Sequence, residues 1–348
     1  MKKVIFLFLA IPLFTACEEA MLGVDASNNP EHNFDLLWND FDQHYSLFYI
    51  KKTNWDSLYQ VYKPRINGKT SEKQLWGIIT GMFEVLNDSH TVLYYEHDRK
   101  TFCSGYALNE IAIEKEFSLS LIKKKYTDAL SHIESEEDLL YGKVKNKDIG
   151  YVFLRKTQGD DPEKAMEEVL RELGDHKAII LDLRTNAGGF AFYSKIIAGF
   201  FADGEHFIGT VQMRNGPKHS DFGEKTDEVT TKTGSKQFLK PVIVLTDRAT
   251  ISGGEYLTMH MKSFGHVTHI GDTTAGDFGA TGIRRFMPNG WSYTYSIKMF
   301  LLPDGRSLDG IGIVPDVYLK NTEADIRAGT DQVLEKAIQY LLETYDIE

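Results

Sequence analysis

Two residue types in this chain have the means for nucleophilic chemistry: a serine between a strand and a helix, and a histidine at a helix corner. The serine lies in residues 241–265, PVIVLTDRATISGGEYLTMHMKSFG. Val242 to Leu245 is short, apolar and β-branched enough for a buried strand. A polar turn follows, then Ser252, Gly253 and Gly254, then an amphipathic helix on Tyr256, Leu257, Met259, Met261 and Phe264 that Gly265 stops. A hydroxyl held there can attack a carbonyl, because the unpaired first-turn amides can receive the developing negative charge. The same serine would also serve as a helix N-cap, a place serine favours. The histidine is His90, in LNDSHT at 86–91, where an imidazole can accept a proton or simply cap the helix before it.

The elements that must position these groups follow from periodicity. Phe34, Leu37, Trp38, Phe41 and Tyr45 recur at helical spacing, as do Trp55, Leu58 and Tyr62. Ser71 with Gln74 resembles a capping box and opens a third helix on Leu75, Ile78, Ile79, Met82, Phe83 and Leu86. This aromatic-rich unit ends at 87–91, and Val92 to Tyr95 reads as a strand. Between 96 and 147 the pattern is weaker, with short apolar stretches including 117–122 read as strands or an edge hairpin. Strands at 149–154, 178–183, 242–245 and 267–270 alternate with helices starting at Pro162, after Gly189 and after Ser252. Strand, helix, strand, repeated, is the signature of a mostly parallel sheet flanked by helices. The loop 271–276 falls near the carboxyl ends of those strands, where open sheets place their sites.

Composition bounds the function. Lys2-Lys3, an apolar run from Val4 to Phe14 and Thr15-Ala16-Cys17 read as a signal segment over 1–17, followed by a polar tether over 18–30. It resembles a bacterial lipoprotein signal in which Cys17 is lipidated; simple cleavage stays open because Phe14 departs from the usual aliphatic residue. The expectation is a cell-envelope lipoprotein, in the periplasm or at the cell surface, held to the membrane by that lipid alone. With Cys17 so used, Cys103 is the remaining thiol and no intrachain disulfide forms. The net charge of −11 argues against nucleic acid, which asks for a basic face. His260, His266 and His269 match no compact ligand spacing, so neither metal nor cofactor is expected.

Four stretches now stand in one order: LNDSHT at 86–91, LDLRTNAGG at 181–189, ATISGGE at 249–255 with GDTTAG at 271–276, and DGRSLDGIGIVPDV at 304–317. Together they resemble the C-terminal-processing peptidase family, serine peptidases on a crotonase-like α/β sheet. The resemblance runs from about Phe34 to Leu319. It implies a small N-terminal helical subdomain at 31–95 and an α/β peptidase domain at 96–348. In the processing-protease branch a lysine serves as base, and its place falls here at Asp277. In the tricorn-core branch the base is a histidine preceded by serine, which Ser89-His90 matches. That branch supports its histidine with a glutamate, whose position falls at Asp309, with Asp88 and Asp316 as substitutes. The 96–148 stretch is also too short for the PDZ module of processing proteases.

The implied chemistry is peptide-bond cleavage through an acyl-enzyme. Ser252 is the nucleophile, His90 the general base, and Ser89 and Asp309 orient the imidazole. Gly253 with Gly188 or Gly189 forms the oxyanion hole. The partner is then a peptide or protein substrate. Two other readings stand beside this one. The interphotoreceptor retinoid-binding proteins resemble the same motif set but bind lipid, and an esterase or amidase would use the same nucleophile.

Overall fold

The computed structural model describes residues 27–105, 113, 115–133 and 138–347. The signal segment, Cys17 and most of the tether lie outside the described residues. Helices α1 (Pro30–His44), α2 (Trp55–Tyr62) and α3 (Glu72–Glu84) form the N-terminal unit. Asn29 caps α1 by accepting the His32 N–H, and Ser71 with Gln74 makes the capping box expected for α3. Their apolar stripes bury Phe34, Leu37, Phe41, Trp55, Ile79, Met82 and Phe83 against one another.

The chain then turns at 87–91 into β1 (Val92–Tyr95) and β2 (Lys100–Cys103). Next come β3 (Ser131–His132), β4 (Leu139–Lys143), β5 (Ile149–Leu154), helix α4 (Pro162–Leu173), β6 (Ala178–Asp182) and helix α5 (Ala191–Gly199). The hairpin β7 (His206–Met213) and β8 (Thr226–Thr230) precedes β9 (Val242–Thr246), helix α6 (Gly253–Lys262) and β10 (Val267–Gly271). Four short strands and a closing helix complete the order: β11 (Arg285–Phe286), β12 (Ser292–Thr294), β13 (Lys298–Leu301), β14 (Val317–Tyr318) and α7 (Gln332–Tyr345).

The central sheet runs β14-β10-β9-β6-β5-β4-β3, parallel from β14 to β5 and antiparallel at β4 and β3. Its middle strands are buried on both faces, which is why they read as continuous apolar runs. Successive side chains alternate between two cores. Val152, Ile179, Leu181, Val242 and Val244 meet α4, α5 and α6 on one face; Tyr151, Phe153, Ile180, Ile243 and Leu245 meet α7 on the other.

Two features depart from the periodicity reading. Residues 117–122 form no strand: Ser118 caps a helical turn at Leu119–Leu121, and the π-helical turn Ile122–Tyr126 drops Ile122 and Tyr126 into the α7-side core. The helical unit is not continuous in sequence either. Met287, Trp291, Tyr293, Tyr295 and Met299 share its core, and β12 pairs with β1. That pairing fastens the corner carrying His90 to the rest of the molecule, where the Thr294 hydroxyl donates to the His90 carbonyl at 3.0 Å.

Candidate active site

The serine is built by the end of β9. Beyond Thr246 the Asp247 carboxylate receives the backbone N–H groups of Thr185, Ala249 and Thr250 at 2.9–3.1 Å, closing a tight turn. The turn delivers Ser252 to the start of α6 at φ 53° and ψ −114°. A non-glycine residue at such angles stores roughly 1–3 kcal/mol of strain, which the surroundings must hold. Glu255 does the holding. Its Oε2 accepts the N–H of Ser252 at 3.1 Å and of Asp277 at 2.9 Å, while Oε1 accepts the Thr274 hydroxyl at 2.6 Å and the Gly276 N–H at 2.7 Å. Burial pushes the Glu255 carboxyl up to about 7, against the hydrogen bonds of Thr274, Asp277 and Gly276 that favour its ionised form. One buried side chain thus ties the serine turn to the loop at 271–277.

The serine hydroxyl is not spent on capping. Ser252 Oγ lies 3.0 Å from His90 Nε2, and His90 Nδ1 lies 3.0 Å from Asp277 Oδ1. An ionised carboxylate only accepts, so Nδ1 carries a proton, and in the neutral ring, the form that acts as a base, Nε2 is left to accept from Ser252. The other Asp277 oxygen accepts the Ser89 N–H at 2.6 Å. Asp88 takes the His90 N–H at 3.0 Å and stands 3.4 Å from Nδ1, while its carboxylate also receives the Thr91 and Ser296 hydroxyls. Burial by itself would pull the imidazole pKa down; Asp277 and Asp88 more than reverse that and raise it to about 10. The site is thereby built to stabilise an imidazolium. Among the described residues Asp88, His90 and Asp277 are also the group whose ligand atoms cluster closely enough for a metal ion. Protein donors already occupy both carboxylates.

The expectation for Asp309 is corrected. Asp277, at the place where the lysine of the other branch would stand, holds His90, and Asp309 does not touch it. Asp309 is buried, and neither of its carboxylate oxygens has a hydrogen-bond partner among the described residues. Burial raises its carboxyl to about 8; Lys51 opposes the rise, and Asp277, Asp88 and Glu255 add to it. The sequence does not mark Asp277: at its position it shows only that the lysine of the other branch is missing, and nothing local reveals that Glu255 pins that loop. Ser89 contributes through its backbone N–H. Asp316 is engaged elsewhere, with Lys262 and the His269 N–H.

The glycines sort themselves by hydrogen bonding. The Gly188 N–H is taken by Asn186 Oδ1 at 2.9 Å, whereas the Gly189 and Gly253 N–H groups have no acceptor among the described residues. Gly188, at φ 80°, lies against Ser252: a Cβ there would stand 2.9 Å from the serine Cβ. A Cβ on Gly253 would stand 3.1 Å from the Gly189 nitrogen, so the two free amides are neighbours. His260 and His269 take no part. Each is buried on a threonine hydroxyl, Thr230 and Thr246 respectively, and burial lowers both to about 3. A cavity of about 950 Å³ opens over Ser252 and His90. The half-exposed rings of Phe190 and Phe192 stand at its rim.

A serine on a strained turn, a histidine with its own carboxylate and two free amides, at the carboxyl ends of a parallel α/β sheet, define the site class of a serine hydrolase. Family comparison narrows the class. The model of peptidase family S41 matches residues 148–319, and that of the tricorn protease C1 domain matches residues 26–84. The chain belongs to the S41 peptidase family. The carboxy-terminal processing protease CtpB of Bacillus subtilis (strain 168) is 27% identical over 186 residues, 52% of this chain and 36% of that protein. The chain thus spans about a third of the length of the curated relatives it matches. Among solved structures, a candidate peptidase from Parabacteroides merdae ATCC 43184 superposes with a TM-score of 0.78 at 27% identity, over 91% of this chain and 98% of that one. The tricorn protease superposes with a TM-score of 0.59 at 17% identity, over 91% of this chain and 37% of that one.

Proposed function

We propose that this protein is a serine peptidase that cleaves peptide bonds through an acyl-enzyme. The observation that carries the reading is the relay Ser252 Oγ to His90 Nε2 at 3.0 Å and His90 Nδ1 to Asp277 Oδ1 at 3.0 Å. His90 Nε2 removes the hydroxyl proton as Ser252 Oγ bonds to the carbonyl carbon, and the carbonyl oxygen becomes an oxyanion. The free N–H groups of Gly189 and Gly253 receive that charge. The imidazolium, held by Asp277, returns the proton to the leaving amine as the C–N bond breaks. His90 then deprotonates a water that attacks the ester, and the proton passes back to Ser252 Oγ.

Family membership supports peptides as substrates, and the open cleft with aromatic rims suits an extended chain. The lining includes Lys195, Asp227, Glu228 and Lys298, which suits a polar substrate better than a lipid. A fluorophosphonate probe on the purified protein tests the nucleophile. Wild type should be labelled, and Ser252→Ala and His90→Ala should each abolish labelling. A folded wild type that resists the probe would favour a binding protein.

The sequence supports a membrane anchor at Cys17. Metabolic labelling with palmitate should mark wild type and not Cys17→Ser; equal labelling of the two would refute the anchor.

A further inference from the structure

The cleft over Ser252 contains a cation for which the catalytic relay has no use. Lys298 opens β13, and its side chain enters the cavity that holds Ser252 and His90. Its Nζ lies 5.0 Å from the centre of the Tyr256 ring. The ring face attracts the charge, but it gives the ammonium N–H groups no lone pair of the kind a carboxylate offers. Among the described residues Lys298 Nζ makes neither a hydrogen bond nor an ion pair within 4.0 Å. The nearby acid is already shared. Glu228 Oε1 lies 3.9 Å from Lys195 Nζ and 3.6 Å from His260 Nε2. Lys298 is half-buried, and burial pulls its ammonium pKa down while Glu228 opposes the fall. A desolvated cation with no acceptor of its own is costly unless something supplies one.

Its position says what that would be. Tyr256 lies in the first turns of α6, four residues after Ser252, and both line the cavity that Lys298 enters. Lys298 stands over that ring and shares the lining of one cavity with the nucleophile. We infer that Lys298 is a specificity-determining residue, and that the cleft selects peptides placing a carboxylate beside the scissile bond, carried by an aspartate or glutamate side chain. This rests on the peptidase reading and names the substrate class for that site. A free C-terminus would present the same group and is the other source to be distinguished. Asp227, also on the lining, is an exposed acid at the edge of the cavity. Lys298 is therefore the half-buried, unpaired charge an incoming carboxylate meets.

The experiment uses the purified protein and fluorogenic peptides in matched pairs, Glu against Gln beside the cleaved bond with amidated C-termini, and free acid against amide with neutral side chains. A mixed peptide library read by mass spectrometry supplies the cleavable frames. A hydrogen bond to a charged partner is worth about 10- to 100-fold, so wild type should favour Glu over Gln in kcat/KM by that factor. Lys298→Met should bring the ratio near 1, Lys298→Glu should invert it, and Lys298→Arg should restore a preference for Glu. Thermal melts of each variant confirm folding. A wild type that labels with fluorophosphonate and cleaves the library with a Glu/Gln ratio near 1 overturns this inference and leaves the peptidase reading standing. A preference confined to the free-acid peptides overturns the side-chain source. A wild type that is neither labelled nor active overturns both readings.

Discussion

Replacing Asp277 with asparagine is the sharpest test of how His90 is held. The Asp277 Oδ2 atom accepts the Ser89 N–H at 2.6 Å, so an asparagine there keeps its carbonyl on Ser89 and turns its NH₂ toward His90 Nδ1. Nδ1 must then accept, the ring proton moves to Nε2, and Nε2 can no longer take the Ser252 proton. The charge is lost as well. At 3.0 Å and an effective dielectric of about 20, the Asp277–imidazolium attraction is about 5 kcal/mol, close to four powers of ten in rate. Asp88 remains 3.4 Å from Nδ1 and retains part of that stabilisation, so the expected fall in kcat/KM is about 10³- to 10⁴-fold. Removing the neighbouring negative charge lowers the imidazole pKa, so the His90 limb of the pH profile should move to lower pH. Peptide turnover and fluorophosphonate labelling rates, each measured across pH, give both readouts. An Asp277→Asn variant within about 10-fold of wild type, or an Asp309→Asn variant losing as much as Asp277→Asn, would refute this geometry.

Three further outcomes follow from buried groups. Gly253→Ala places a methyl 2.0 Å from Thr157 Oγ1 and crowds the Gly189 amide, so kcat should fall about 10²- to 10³-fold while the melting curve still shows a folded protein. Asp309 has a folded pKa of about 8, above its unfolded value; the folded state binds more protons, and its contribution to stability is lost as pH rises from about 4 to 8. Asp309→Asn should therefore gain stability over wild type progressively across that window, as thermal melts at pH 5 and pH 8 would show; an equal shift at both would contradict the assignment. Arg184 is buried, with bonds to Asp182 at 2.6 and 2.9 Å and to Asp331 at 2.8 and 2.9 Å. Arg184→Ala leaves both carboxylates uncompensated and should cost about 3–5 kcal/mol in urea denaturation.

Much of the architecture was legible locally. Mostly apolar runs at 149–154, 178–183 and 242–245 marked doubly buried strands, and strand–helix alternation between them announced a parallel sheet. Residues 117–122 depart from the strand expectation because short apolar runs fit strand and helix alike, and packing beneath the sheet selects helical turns. The N-terminal core could not be delimited from its own helices, since Trp291, Tyr293 and Tyr295 complete it from about 200 residues away.

The site divides along the same line. Ser252 was legible as a candidate nucleophile from the chain alone, because a strand, a turn and two glycines before an amphipathic helix are consecutive and dictate a local conformation. The sequence also determined His90 as a candidate, through its place in an ordered set of motifs. Only the tertiary structure decided what His90 leans on. Asp277 reaches it across 187 positions because Glu255, on the serine's own helix, holds the loop at 271–277 by three bonds. It also decided which amides are free, for the Gly188 N–H is consumed by Asn186 while those of Gly189 and Gly253 meet no acceptor among the described residues. A nucleophile is a local conformation; its support is a set of distances between distant parts of the chain, which packing alone determines.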